Sequence, residues 1–211
     1  MRTVNPGHAP SPDRTLLLVD DDRLVLVVLA QGLRDAGYQV ATAESVDEAE
    51  ALLSCGLRSD LAILDVRMPG RDGLELAARL QALDHVPFIL LTAYSDPRIV
   101  EQAAAHGALG YLVKPVDTPG LIPAVEAALA RAGELSGLKR SQRQLQTALD
   151  TERDISVAVG MVMMQLGLER REAFEMLRRV ARSQRRKLAV IAAEVIAARG
   201  IQGIPPKLLD D

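Results

Sequence analysis

The chain carries two kinds of hydrophobic pattern in alternation. Short apolar runs recur at residues 15–20 (TLLLVD), 38–43 (YQVATA), 61–65 (LAILD), 88–92 (FILLT) and 110–115 (GYLVKP). Between them apolar residues fall at helical spacing, as at Leu74, Ala77, Ala78 and Leu80. Strands that read as near-continuous apolar runs are covered on both faces, and strands that alternate with helices build a parallel sheet. The pattern predicts an α/β fold over residues 15–131: a doubly wound, five-stranded parallel sheet. The first 14 residues, MRTVNPGHAPSPDR, read as a disordered lead.

From about Thr118 the strand pattern stops, and everything to Arg199 reads as helix. Leu121, Val125, Ala128, Leu135, Leu138, Leu145 and Leu149 follow one another at spacings of three, four and seven. Gly133 and Gly137 interrupt the run, and Gln142 and Glu152 spoil a clean heptad. A coiled-coil dimer seam and a plain connecting helix both fit residues 132–150. Residues 151–199 resolve into three short helices, at about 151–165, 170–183 and 186–199. Gly167 suits a helix end, and Glu169 and Glu172 put acid near the next N-terminus. Residues 200–211 read as a flexible tail.

Composition narrows the setting. The single cysteine, Cys55, excludes an internal disulfide, and the N-terminus has no apolar segment of the signal-peptide kind. The longest apolar run, Leu24 to Ala30, is far short of the roughly 20 residues that span a bilayer. The expectation is a cytoplasmic protein with no membrane association. The net charge of −3 conceals a split. Residues 138–199 carry 13 Lys+Arg against 7 Asp+Glu, and the remaining 149 carry 12 against 21. An acidic module is thus joined to a basic one suited to a polyanion.

In doubly wound sheets a ligand sits beyond the carboxyl ends of the strands, so the residues there bear comparison. They are Asp20, Asp21 and Asp22, then Asp65, Thr92 and Lys114. Clustered carboxylates repel one another unless a cation lies among them, and Mg2+ suits an all-oxygen donor set. A carboxylate beside Mg2+ can attack phosphorus, while a hydroxyl and an ammonium hold the phosphoryl oxygens. Any one of these residues alone is more often just a polar strand end; the ordered set is not.

The motifs LLLVDDD, LAILDVRMPGRDG, ILLTA and GYLVKP together resemble the receiver domain of two-component response regulators, a flavodoxin-like fold, over about residues 14–131. The resemblance implies that Asp65 accepts a phosphoryl group from the histidine of a sensor kinase. It implies Asp21, Asp65 and the backbone carbonyl of Arg67 as Mg2+ ligands, with Asp20 acting through water. It also implies Thr92 and Tyr111 as the switch pair, Lys114 as the phosphoryl clamp, and a cis Lys114–Pro115 bond. Val116 stands where the family commonly has an aromatic residue.

In the tail, Ala173, Phe174, Leu177, Val180 and Ala181 make one apolar face, with Arg171, Arg178, Arg182 and Arg185 in a row beside it. Arg186 and Lys187 extend the row, and Leu188, Ile191, Ala192, Val195 and Ile196 make a second apolar face. An arginine row is often only a solvated face; phosphate binding is the sharper reading. Phe174, the one aromatic residue after Tyr111, reads as core rather than as a base-stacking platform. Met161, Met163 and Met164 read as core or interface filler, and His8, His85 and His106 show no metal-ligand spacing.

The segment ISVAVGMVMMQLGLERREAFEMLRRVARSQRRKLAVIAAEVI resembles the ANTAR domain, a three-helix RNA-binding output module of antitermination regulators, over about residues 145–199. The matching positions are Ala158, Gly160, Ala173, Phe174, Leu177, Arg178, Lys187, Leu188 and Ala192. Val159 departs from the pattern, which usually has lysine there; if that lysine helps to contact RNA, binding in this chain is weaker, altered or lost. The leucine pattern from Leu121 to Leu149 leads to the expectation of a homodimer formed on activation, whose paired basic bundles grip hairpins in a nascent leader transcript; the resemblance implies that this grip prevents a terminator hairpin from forming. Two rivals stand beside it: a DNA-binding transcriptional regulator, though no turn and recognition helix are recognisable, and a regulator whose tail binds a protein. The tail offers no His, no Cys and no phosphate-binding glycine loop for an output enzyme.

Overall fold

The computed structural model describes residues 14–93 and 97–199. Its sheet has five parallel strands: β1 (Thr15–Val19), β2 (Gln39–Ala43), β3 (Leu61–Asp65), β4 (Phe88–Thr92) and β5 (Tyr111–Val113), in the order β2-β1-β3-β4-β5. Helices α1 (Arg23–Asp35), α2 (Val46–Ser54), α3 (Gly73–Arg79) and α4 (Pro97–Ala105) connect them, and α5 (Thr118–Leu166) follows β5. Each strand lies within or at its predicted run. The predicted ends at Asp20 and Lys114 fall just outside β1 and β5, because there the chain leaves the sheet to build a site.

The central strands are covered on both sides, as their apolar runs require. Leu17, Val19, Ala62, Leu64 and Leu90 pack with α2 and α3 in one core. Leu16, Leu18, Leu61, Ile63, Ile89 and Leu91 pack with α1 and with Leu121, Val125 and Ala128 of α5 in the other. The two cores follow from the strand's period of two, which sends successive side chains to opposite faces. A Cβ on Gly32 of α1 would meet the side chain of Thr118 at 2.1 Å, so this glycine lets α1 and the start of α5 approach.

Two compact units divide the chain, residues 1–136 and 137–211. In the second, the C-terminal part of α5 packs with α6 (Arg170–Ser183) and α7 (Leu188–Ala197). Ala158, Val159 and Val162 meet Ala173, Leu177 and Val180 of α6 and Ile191, Ala192 and Val195 of α7. A capping box opens α6: the side chains of Glu169 and Glu172 satisfy each other's backbone N–H groups.

Several expectations need correcting. α5 runs unbroken from Thr118 to Leu166, so the linker and the first tail helix are one element. Gly133 and Gly137 do not interrupt it, since a glycine costs a helix only about 1 kcal/mol and neighbouring turns carry it. The third tail helix begins at Leu188, with Arg186 and Lys187 in the non-helical stretch before it, and ends at Ala197. The terminal segments expected at residues 1–14 and 200–211 lie outside the described residues except for Arg14, which pairs with Asp60 at 3.2 Å.

Candidate functional site

The strand register brings the predicted residues together. Val19 pairs with Leu64, so the next residues, Asp20 and Asp65, are neighbours at the carboxyl edge of β1 and β3. Asp65 in turn pairs with Leu91, and Thr92 with Val113. Thr92 and Lys114 therefore emerge on the same edge. This edge is the point where the chain reverses its order across the sheet, with β2 on one side of β1 and β3 on the other.

Asp20 is fully buried, Asp65 is 5% exposed and Thr92 is 2% exposed. Lys114 Nζ bridges the two carboxylates, 2.6 Å from Asp20 Oδ2 and 2.9 Å from Asp65 Oδ2. Their other oxygens accept from the backbone: Asp22 N donates to Asp20 Oδ1 at 3.0 Å and Arg67 N to Asp65 Oδ1 at 3.4 Å. Burial pushes the Asp65 carboxyl up from its ordinary value, against the pull of Lys114. Burial works the other way on Lys114, but hydrogen bonds to Asp20 and Asp65 outweigh it and hold the ammonium above its usual range. Pairing thus holds the charge of Lys114, whereas at Asp65 burial outweighs it.

Asp20, Asp21 and Asp65 can each offer a carboxylate oxygen within 4.8 Å of the others. One lysine cannot neutralise three carboxylates, and this hard oxygen set is the type that holds Mg2+. The exposed Asp21 stands at the open side, while Asp22 caps α1, accepting from Leu24 N and Val25 N. Tyr111 opens the edge strand β5 and is 48% exposed. The Lys114–Pro115 peptide bond is cis.

Two residues near the site escaped sequence reasoning. A Cβ on Gly73 would lie 1.9 Å from the carbonyl oxygen of Asp65, so only glycine lets α3 start against this strand end. Arg71, in the loop between β3 and α3, pairs with Asp47 and Glu50 of α2 and with Glu75 of α3 at 2.9–3.1 Å. The i,i+4 spacing of Arg71 and Glu75 was a readable signal; the two partners on α2 were not.

The basic face divides differently from its sequence pattern. Arg171, Arg178 and Arg182 are exposed along α6. Arg185 leaves the row, because α6 ends at Ser183 and Arg185 takes a left-handed backbone (φ 52°) in the turn that follows. Arg186 is bound in an ion pair with Glu194 of α7, and Arg178 pairs with Glu175 at 3.2 Å. Among the described residues, Arg171, Arg182, Arg185 and Lys187 have no ion pair. Val159 is 4% exposed and belongs to the bundle core. Phe174 packs against that core but remains half-buried. Met161 and Met163 also pack on it, whereas Met164 is 90% exposed.

Comparison with known proteins decides the family. The response regulator receiver domain matches residues 16–126, and the ANTAR domain matches residues 143–196. The chain belongs to the two-component response regulators with an ANTAR output. Transcriptional regulatory protein PdtaR of Mycobacterium tuberculosis is 34% identical over 188 residues, covering 89% of this chain and 91% of the relative. Transcriptional regulatory protein AfsQ1 of Streptomyces coelicolor is 40% identical over 117 residues, 56% of this chain and 52% of its own. The chemotaxis response regulator CheY4 of Vibrio cholerae superposes with a TM-score of 0.51 at 31% identity, over 55% of this chain and 98% of its own.

Receiver domains are phosphorylated by sensor kinases and generally bind Mg2+ at an acidic pocket, and ANTAR domains bind RNA. The family is regulatory rather than catalytic. No helix among the described residues is long and apolar enough to cross a membrane.

Proposed function

We propose that this ANTAR response regulator is a phosphorylation-switched antitermination factor that grips hairpins in nascent leader RNA. The observation that carries the reading is the convergence of Asp20, Asp65 and Lys114 within 2.6–2.9 Å on a buried sheet edge, in a chain whose other unit presents unpaired arginines. Asp65 is the phospho-acceptor: a carboxylate oxygen attacks the phosphorus of a phosphohistidine, the P–N bond breaks, and its electron pair returns to the donor's imidazole. Lys114 follows the charge from the carboxylate to the phosphoryl oxygens, while Asp20 keeps its position. Mg2+, held by Asp20, Asp21, Asp65 and the carbonyl of Arg67, would neutralise the charge of phosphoryl transfer.

A phosphoryl group adds about −2 charge, which matters only through an element with two arrangements. Thr92, buried, and Tyr111, half-exposed on the edge strand, are that pair: the hydroxyl turns toward the phosphoryl oxygens and the ring follows inward. Two chains then pair along α5, where Leu135, Leu138, Leu145 and Leu149 stand 48–68% exposed. Pairing brings two basic bundles to two hairpins, and the grip on RNA prevents a terminator hairpin from forming.

The test is fluorescence anisotropy of a labelled two-hairpin leader RNA with the full chain, with and without beryllofluoride and Mg2+, against duplex DNA as competitor. Tighter binding with beryllofluoride that resists the DNA is expected. Equal binding in both states removes the switch, and preferential loss to duplex DNA moves the output to the DNA-binding class.

A further inference from the structure

The second unit carries a groove that the arginine row does not account for. It holds about 760 Å³ and is lined by Ile155 and Val159 of α5, Phe174 of α6 and Leu188 of α7, with Arg170 and Arg171 at the start of α6. The four apolar side chains are buried or half-buried, and both arginines are exposed. Glu152 lines the groove as well and is exposed. The groove therefore combines an apolar floor, two cations contributed by α6 and one anion contributed by α5.

That combination selects a ligand with a flat apolar body and a negative group at one side. Phe174 packs against the core yet lines the groove, so part of its ring is available to stack. Arg171 lines the groove and also belongs to the exposed arginine row, which makes the groove continuous with the proposed phosphate-binding face. Glu152 repels phosphate and so sets its direction, toward Arg170 and Arg171. Paired bases in a duplex expose no ring face to such a groove, whereas an unpaired loop nucleotide does.

We propose that this groove receives one unpaired nucleobase of the hairpin loop, stacked on Phe174 over the Val159 floor, with its phosphate on Arg170 and Arg171. The inference rests on the RNA-binding reading and adds to it a site of loop recognition. It gives position 159 a different role from phosphate contact: valine leaves the floor open, and a lysine there would fill it.

The experiment uses the full chain and a labelled hairpin whose loop positions are made abasic one at a time. One loop position is expected to lose about fivefold or more in affinity when its base is removed, the scale of one stacked base. In Phe174→Leu that same position should lose nothing further, because the stacking partner is already gone. A 2-aminopurine at that position should change its fluorescence on binding to the wild-type chain and not to Phe174→Leu. Val159→Lys should behave as Phe174→Leu does, with circular dichroism confirming that the bundle is folded; the abasic series on the wild-type chain stands without either variant. Arg182→Ala, outside the groove, should weaken intact and abasic hairpins alike.

An abasic penalty that persists undiminished in Phe174→Leu, or no penalised loop position, overturns the inference while leaving hairpin binding in place. Failure to bind any hairpin overturns the RNA reading and the inference with it. Loss of self-association in Phe174→Leu, with RNA affinity per dimer unchanged, assigns the groove to a second copy of the chain and also overturns it.

Discussion

The acidic edge of the sheet and the basic face of the bundle solve opposite problems. At the sheet edge, like charges are forced together in a buried place, and Lys114 binds Asp20 and Asp65 at 2.6 and 2.9 Å. On the bundle, like charges are spread over an exposed surface, and only some find partners: Arg186 takes Glu194, Arg178 takes Glu175, and Arg171 and Arg182 take none among the described residues. The first arrangement is preorganised for chemistry at one atom. The second is suited to a diffuse polyanion, where each cation contributes a little. The difference predicts that single substitutions act all-or-none at the edge and by degrees on the face.

The largest effect belongs to Asp65. Asp65→Asn removes the nucleophilic oxygen and should abolish phosphorylation by a small-molecule phosphodonor, checked by intact-protein mass spectrometry. The variant should stay folded, and in Mg2+-free buffer unfold no earlier than the wild type, because burial already disfavours charge at this carboxyl. A phosphorylated Asp65→Asn chain would move the acceptor elsewhere and break the contrast.

Lys114→Met should come next. It leaves Asp20, fully buried, and Asp65 facing each other without a cation. Breaking a buried pair costs about 3–5 kcal/mol, and the 22% exposure of Lys114 lowers the expectation to about 2 kcal/mol. Urea unfolding in Mg2+-free buffer measures the loss, and added Mg2+ should recover part of it. No loss would mean that water, not pairing, stabilises the edge.

On the basic face, Arg182→Ala should weaken hairpin RNA binding about threefold to fivefold whatever the sequence. It should reduce the slope of log K against log salt by about one, as a lost phosphate contact does. Arg186→Ala should change that slope less, because Glu194 already holds its guanidinium. Titrations of both variants across salt concentrations sharpen the comparison: equal slopes would show that the intramolecular pair opens to RNA.

These contrasts explain what was legible in the sequence. Strand ends converge because a parallel sheet puts every carboxyl end on one edge, so Asp20, Asp65, Thr92 and Lys114 could be grouped from their runs alone. The extent of α5 was not legible, since helix-weakening glycines at 133 and 137 cost less than the surrounding turns supply. Helical phase placed Arg171, Arg178 and Arg182 correctly but carried Arg185 past the end of its helix. Pairing was invisible too: whether an arginine such as Arg186, between helices, is occupied depends on an acid such as Glu194, eight residues on in α7. Val159 showed the same gap, because a valine where the resembling pattern has lysine reads as a surface substitution until three helices close over it.

The smallest effect lies between the two regions in kind: a charged cluster that is structural. Arg71 joins Glu50 and Asp47 of α2 to Glu75 of α3, and Arg79 also reaches Glu50 at 3.1 Å. The hydrogen bond from Arg71, aided by Arg79 and opposed by partial burial, holds the Glu50 carboxyl below its usual range. A depressed folded-state value stabilises the fold above the unfolded-state value of about 4.5, and that contribution disappears as pH falls through the folded-state one. Glu50→Gln should therefore lower stability at neutral pH by about 0.5 kcal/mol, the scale of a partly exposed ion pair. It should also flatten the fall in stability as pH drops below 4.5. Urea unfolding of both chains at pH 7 and pH 3.5 checks the sign: the two curves should converge at the lower pH. Curves that stay apart there would show that Glu50 acts by packing, and the loop that begins at Asp65 would then be held by shape rather than by charge.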